Sequence, residues 1–309
     1  MFGEIKMSME RWVEIHNQLL NGNYDFFPSH NEIRTGNPIY KNCFSATPNY
    51  GKPIWDGRVE PIVLLVNADF GMGDTIQFYR FLSWVKCRVA KVILRCDGDF
   101  SKLFSDVEVV DKAMEIPEFN KVIHMMALPL VLGIKKEDIV SERYISPNLE
   151  YPIDADLKNH LGMVKFTKIG ICWQGNPFNP RDRIRSMPMN YLNDFLDHFL
   201  YNFDLRMFSL DKIGLVVPNS LFNMKPYMGD WNKTAQLIEL MDIVVTVDTA
   251  VAHLAGALGK KTYLVVPKED PDWRWGKVGE ETLWYKSIKL FRNDNWEETI
   301  KKLQSEIEL

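Results

Sequence analysis

Asp242-Ile-Val-Val-Thr-Val-Asp-Thr-Ala-Val-Ala-His-Leu-Ala-Gly-Ala-Leu-Gly259 is the stretch whose reading decides the fold. Residues 243–247 form an unbroken apolar or β-branched run, the pattern of a parallel strand covered on both faces. The run stops at Asp248-Thr249, short polar residues of the kind that cap helices. It then passes straight into a helix of small residues (Ala250, Ala252, Ala255, Gly256, Ala257), thin enough to lie close to a sheet or leave room for a ligand. Gly259 ends that helix, and 262–266 reads as the next strand. A strand that feeds a helix N-terminus presents unpaired backbone N–H groups and the positive end of a dipole, which suits a phosphate or diphosphate. Thr249 and the backbone N–H groups from Ala250 onward are therefore the expected anion contacts. Asp248 would repel an anion, so its expected work is to cap the helix. His253 falls just past one turn from Thr249 and has two readings, a packed structural histidine or a cationic contact when protonated.

Working outward, Asp230 is placed to cap a helix over 234–241 that delivers the chain into this unit. Before it come strands over 168–173 and 205–210 with a helix over 191–200 between them, and after it a final amphipathic helix over about 295–307. The N-terminal half shows the same alternation. A continuous apolar strand over 62–66 leads through Asn67-Ala-Asp-Phe-Gly-Met-Gly-Asp74 into a helix over 75–87. Further strands follow over 92–96 and 107–110, a short helix over 100–104, and a Pro129-broken helix over 125–132. A helix over 8–21 with Gly22 as its stop precedes an irregular lead-in over 23–52 and a turn at Pro53-Ile-Trp-Asp-Gly57. The proline-bearing segment 143–160 reads as an interdomain connection. The expectation is an α/β protein of two doubly wound, Rossmann-like domains facing across a cleft, divided as 1–52, 53–158 and 159–309.

Composition bounds what such a chain can do. An apolar fraction of 46%, a charged fraction of 25% and a formal net charge of -4 over 309 residues are those of a soluble globular protein, with no basic footprint for nucleic acid. The four cysteines, Cys43, Cys87, Cys96 and Cys172, are scattered without metal-ligand spacing, and are expected to be reduced thiols. There is neither a signal-peptide pattern nor an apolar run of membrane length, so a cytoplasmic location is expected.

Four stretches carry possible chemistry. Gly71-Met72-Gly73-Asp74 puts a carboxylate in the first turn of a helix. It serves either as a general base toward an acceptor hydroxyl or as a plain cap. The loop that opens at Gln174-Gly175-Asn176 carries Arg181, Arg183 and Arg185 in alternation. If that loop is extended, three guanidinium forks share one side, which suits phosphate oxygens, unless it is simply a solvated loop with Asp182 as local partner. The helix start at Asp248-Thr249 is the third. In Pro271-Asp-Trp-Arg-Trp-Gly276, Trp273 and Trp275 could stack a base or sugar, or else form an aromatic cluster that anchors the last helix.

Taken together, Gly71-Met-Gly-Asp-Thr-Ile-Gln-Phe-Tyr-Arg-Phe81, Gly170-Ile-Cys-Trp-Gln-Gly-Asn176, Asp182-Arg-Ile-Arg-Ser-Met-Pro188, the 247–259 stretch and Pro271-Asp-Trp-Arg-Trp275 resemble a known family. It is the glycosyltransferase domain found C-terminal to bacterial tetratricopeptide repeats. More distantly, the chain is similar to the heptosyltransferases of lipopolysaccharide synthesis. The resemblance implies a GT-B fold and inverting sugar transfer from a nucleotide-diphosphate sugar, used as co-substrate with no cofactor and no metal. The acceptor would be a glycan, protein or small molecule. It places the general base at Asp74, with Gly71, Met72, Gly73 and Gln77 on the acceptor side. Donor contacts fall at Gly175, Asn176, Arg183, Arg185, Asp248, Thr249, Ala250 and His253. Where related sequences carry Glu-Gln, this chain has Asp69-Phe70. Two alternatives stand beside this reading: a non-catalytic nucleotide- or glycan-binding module of the same fold, and a nucleotide-sugar epimerase.

Overall fold

The computed structural model describes residues 9–25, 50–163, 165–202, 204–212 and 216–308, with backbone alone for 9–12. Cys43, Ser8, the Trp12 side chain and residues 26–49 of the expected lead-in lie outside these. The chain forms two compact units. The first ends at Val140 but also takes in Asp272–Gly276; the second comprises Ser141–Pro271 and resumes at Lys277. The chain thus changes unit at 140/141, ahead of the 158/159 division expected from sequence, and the segment around Trp273 belongs with the N-terminal residues.

In the first unit, α1 (Met9–Leu20) ends at Gly22, which takes the left-handed φ of 80° that a side chain would resist. The parallel sheet has strands β1 (Glu60–Asn67), β2 (Val89–Cys96), β3 (Glu108–Asp111) and β4 (Lys121–His124) in the order β3-β2-β1-β4. Strand β4 has no counterpart in the sequence reading. The segment read as a turn at 53–57 instead bridges it in parallel through Ile54 and Val122. The helix after β1 starts earlier than expected and is broken into α2 (Met72–Tyr79) and α3 (Leu82–Lys86). Arg80 explains the break: its Nε donates to the Gln77 carbonyl (2.9 Å) and its Nη1 to the Val140 carbonyl (2.7 Å). That is side-chain satisfaction of a helix end. Leu65, Ile93, Val110, Phe119 and Val122 form the core of one sheet face. The Pro129-bearing segment is a 3-10 turn (Met125–Ala127) followed by α4 (Leu128–Leu132), as its proline predicts.

The first helix of the second unit is α5 (Ala155–Met163), which overlaps the end of the 143–160 segment read as a connection. Its six-stranded parallel sheet contains β5 (Thr167–Cys172), β6 (Leu205–Ser209), β7 (Phe222–Asn223), β8 (Ile243–Val247), β9 (Thr262–Pro267) and β10 (Ile288–Asn293). Their order is β10-β9-β8-β5-β6-β7. The helices are α6 (Asp182–Arg185), α7 (Met189–His198), α8 (Trp231–Leu240), α9 (Ala250–Ala257) and α10 (Trp296–Glu308). Alternate residues of the central strands divide between two covered faces. Ile169, Ile171, Val245, Val247, Tyr263 and Val265 pack with Leu192, Phe195 and Leu196 of α7 and with Ile300 and Leu303 of α10. Val244, Thr246, Leu264 and Val266 are buried on the other face, where α9 packs on β8 and β9. Burial on both faces is why the 243–247 run needs no polar alternation. As expected, Asp230 caps α8, accepting from Lys233 N at 2.8 Å. Strand β10, unread in the sequence, adds an outer parallel strand. Among the described residues no helix is long and apolar enough to cross a membrane.

Candidate functional site

In an open parallel sheet, ligands bind beyond the carboxyl ends of the strands, where successive connections leave in opposite directions. In the second unit that point lies between β5 and β8. It brings together the Gln174-Gly175 loop and the Asp248-Thr249 helix start, which are far apart in the chain. In the first unit it lies between β1 and β4, at the loop leading to Asp74. The second switch point therefore carries two of the motifs singled out in the sequence, and the first carries one.

At the second switch point the arginine loop is not extended. Asp182–Arg185 forms a single helical turn, so the alternating arginines diverge. Arg181 pairs with Asp270 (3.1 Å), and Arg183 is exposed and makes no hydrogen bond or ion pair among the described residues. Arg185 turns inward. Its Nε pairs with Asp182 Oδ1 (3.2 Å), and its Nη1 donates to the carbonyl of Asp248 (2.7 Å). Ser186 Oγ donates to Asp182 Oδ1 (2.9 Å) and accepts from Gly175 N (2.9 Å), which closes the loop on itself. Gly175 is required by space: a Cβ there would fall 2.4 Å from Arg185 Nη2 and 2.5 Å from Asp182 Oδ1. Asn176 serves the loop, accepting from Phe178 N at 3.0 Å.

The helix start departs from expectation in one respect. Thr249, not Asp248, occupies the cap position of α9, and its side chain makes no capping hydrogen bond. Thr249 Oγ1 lies 3.4 Å from Thr246 Oγ1 and 3.7 Å from Cys172 Sγ instead. Asp248 meets Arg185 through its carbonyl, because the extended backbone at Thr249 puts the cap one residue later. Ala250 is half-buried in the first turn. Arg185 thus holds a positive charge against the end of β8, beside the positive end of an eight-residue helix. Asp182 offsets part of the Arg185 charge, and what remains, beside the helix dipole, suits an anion. His253 is a packed histidine in this structure: it is buried, and its Nδ1 shares a 2.8 Å hydrogen bond with the Tyr285 hydroxyl. Burial pushes the Cys172 thiol up to about 12, so it is an inert packing group.

At the first switch point, Gly71 is the residue before α2, and Asp74 lies in its first turn. The φ of Gly71 is an ordinary -61°, so its lack of a side chain matters for room: a Cβ would sit 3.3 Å from Asp74 Oδ2. Met72 is exposed, Gly73 half-buried, and Gln77, one turn beyond Asp74, fully buried. The Asp69-Phe70 pair is anchored locally, Asp69 to Arg95 (3.3 Å) and Phe70 against the His124 ring (4.9 Å between centroids). Arg95 and His124 flank Asn67 in register at the ends of β2 and β4. Asn67 is fully buried, and neither amide atom has a hydrogen-bond partner among the described residues.

The Trp-Arg-Trp segment belongs to this unit and overturns the stacking reading. Trp273 and Trp275 are 4% and 2% exposed, so neither indole face is open to a ligand. The cluster packs on α1 rather than on the last helix. Arg274, buried between them, donates to Asp74 and to Gln77 Oε1. The sequence reading missed Arg274, Asp272 and Ser186 as parts of these sites. Trp-Arg-Trp alone does not show which of its members will be the polar contact. Among the described residues no group of three or more His, Cys, Asp or Glu could hold a metal ion.

No family model matches this chain, and no curated protein matches it either. Solved structures do. The iron-containing dodecameric glycosyltransferase TibC from enterotoxigenic E. coli superposes with a TM-score of 0.53 at 10% identity, over 77% of this chain and 64% of TibC. A family 9 glycosyl transferase from Veillonella parvula gives 0.53 at 11% identity, over 80% and 90% of the two chains. The E. coli heptosyltransferase WaaC with ADP gives 0.52 at 10% identity, over 80% and 99%. The chain therefore spans under two thirds of TibC, and at these identities the likeness is one of fold. That fold, an α/β architecture with two parallel sheets, is the fold of these sugar-transferring enzymes.

Proposed function

We propose that this protein is an inverting glycosyltransferase that moves a sugar from a nucleotide-diphosphate donor to an acceptor hydroxyl. The observation that carries this is the second switch point. The Arg185 guanidinium is fixed to the Asp248 carbonyl, beside the N-terminus of α9, and the pair favours a diphosphate. Thr249 and the first-turn N–H groups from Ala250 complete that binding face, and the exposed Arg183 is assigned a further, longer-range electrostatic contribution. Asp74 is the proposed base. The acceptor oxygen attacks the anomeric carbon as the bond from that carbon to the diphosphate oxygen breaks. The acceptor proton passes to Asp74, and the nucleoside diphosphate leaves. One direct displacement inverts the anomeric centre. Charge developing on the leaving diphosphate meets Arg185 and the α9 dipole, which are already oriented before reaction. The fold shared with glycosyltransferases supports the reaction class, and WaaC is described with bound ADP. The expected donor is accordingly a nucleotide sugar, with no metal or organic cofactor in the step.

The test is a thermal-shift and calorimetric screen against a panel of nucleotide sugars that includes ADP-D-β-D-heptose, followed by turnover of the ligands that bind. Stabilisation by at least one donor, with release of its nucleoside diphosphate, is the expected result. Binding without turnover would move the protein to a binding-module reading, and response to no donor would defeat both.

A further inference from the structure

We propose that Arg274 is the positioning residue for Asp74, an inference that rests on the base role assigned above. Arg274 is buried, and its side chain is engaged through all three guanidinium nitrogens. Nη2 donates to Asp74 Oδ1, and Nε to Gln77 Oε1. Nη1 donates to both carboxylate oxygens of Asp272, at 2.9 and 3.1 Å. Asp74 and Gln77 are three residues apart on α2 and share a helix face, so one planar fork holds both. The fork is itself held: Asp272 Oδ1 also accepts from Arg274 N (3.0 Å), and the guanidinium lies 4.7 Å from the centre of the Trp273 ring.

The geometry separates the two oxygens of Asp74. Oδ1 is the one bound to Arg274, whereas Oδ2 lies on the side where Gly71 offers no side chain. The Asp74 side chain keeps 16% exposure against 6% for Arg274, so the guanidinium supports the carboxylate from within and leaves it reachable. Arg274 does not touch the reacting atoms. It fixes the rotamer of the side chain that does, and a small misplacement of such a group can cost about a hundredfold in rate.

Four variants, R274M, R274K, D74N and D74N/R274M, test this in two arms. The first arm is thermal unfolding of the full chain. If Arg274 holds Asp74, the losses in Tm of R274M and D74N do not add in the double variant; additive losses overturn the contact. The second arm is steady-state turnover of ADP-D-β-D-heptose, or of whichever panel donor the wild type consumes. The expected result is a kcat about a hundredfold lower in R274M with the donor KM nearly unchanged. R274M should cause no further loss in the D74N background. R274K, a point charge without the fork, should not restore kcat. If R274M fails to fold, R274K carries both arms. Wild-type kcat in a folded R274M or R274K with D74N inactive overturns the positioning role and leaves the base assignment standing. A wild type that consumes no donor instead removes the reaction and the role together.

Discussion

Gly175→Ala separates folding from anion binding. The new Cβ would lie 2.4 Å from Arg185 Nη2 and 2.5 Å from Asp182 Oδ1, both side-chain ends, so they move and the backbone stays. Gly175 is not among the positive-φ glycines, so alanine fits its backbone. Stiffening the unfolded chain then returns about 0.4–1 kcal/mol. Crowding a packed site costs about 1–3 kcal/mol, which leaves a net change between about zero and a loss of about 2.6 kcal/mol in stability. Displacing Arg185 from the Asp248 carbonyl removes an oriented charge from the anion face. A hydrogen bond to a charged group is worth about 1.5–3 kcal/mol, or about ten- to a hundredfold in affinity. Binding should therefore suffer more than folding. Urea denaturation gives the first quantity and calorimetric titration with inorganic pyrophosphate the second. Pyrophosphate affinity within about twofold of wild type, in a protein whose Arg185 has moved, would refute the diphosphate clamp.

Further outcomes follow from the same geometry. Asp74→Asn should lower transfer by about 10²–10⁴-fold and leave donor affinity nearly intact, read as kcat against Kd. Arg183→Ala, at an exposed position, should leave Tm unchanged but weaken pyrophosphate binding by about tenfold, measured calorimetrically. Tyr285→Phe removes the His253 partner and should destabilise by about 1 kcal/mol in denaturant without changing donor affinity. Burial raises the Cys96 and Cys172 thiols from 9.0 to about 12, so the unfolded chain gives up these protons first. Their contribution to stability is full below pH 9 and is lost as pH rises toward 12. At pH 8, alkylation with peptide mapping should mark the exposed Cys87 and spare both buried thiols until the protein is unfolded.

The fold was legible where burial is symmetrical and punctuation strong. The 243–247 run, the Gly259 stop and the Asp230 cap stand where the residues say, because each is a local rule acting alone. Strands β4 and β10 were not legible. Lys-Val-Ile-His is only four residues long, and Ile-Lys-Leu-Phe-Arg-Asn carries charges in an outer strand, so neither has the apolar run of a central strand. The break at Arg80 depends on a carbonyl sixty residues away, which no local window contains. The candidate site divides in the same way. That helices begin near Gly71–Asp74 and at Asp248-Thr249 was readable from local punctuation; that Thr249 takes the cap position was not. The divergence of Arg181, Arg183 and Arg185 was not, because a single helical turn replaces the extended spacing. Nor did Trp-Arg-Trp show that its arginine would reach inward to the carboxylate while both indoles were buried.

The excursion of Asp272–Gly276 into the first unit has a consequence for biosynthesis. A ribosome delivers residues in order, so this unit waits for its Arg274 until residues 141–271 of the other unit have been made. Asp74 and Gln77 are thus made well before the side chain that holds them. A nascent chain stalled before residue 272 would hold the proposed base without its anchor. The proposed catalytic carboxylate acquires its fixed geometry only once that later segment has emerged.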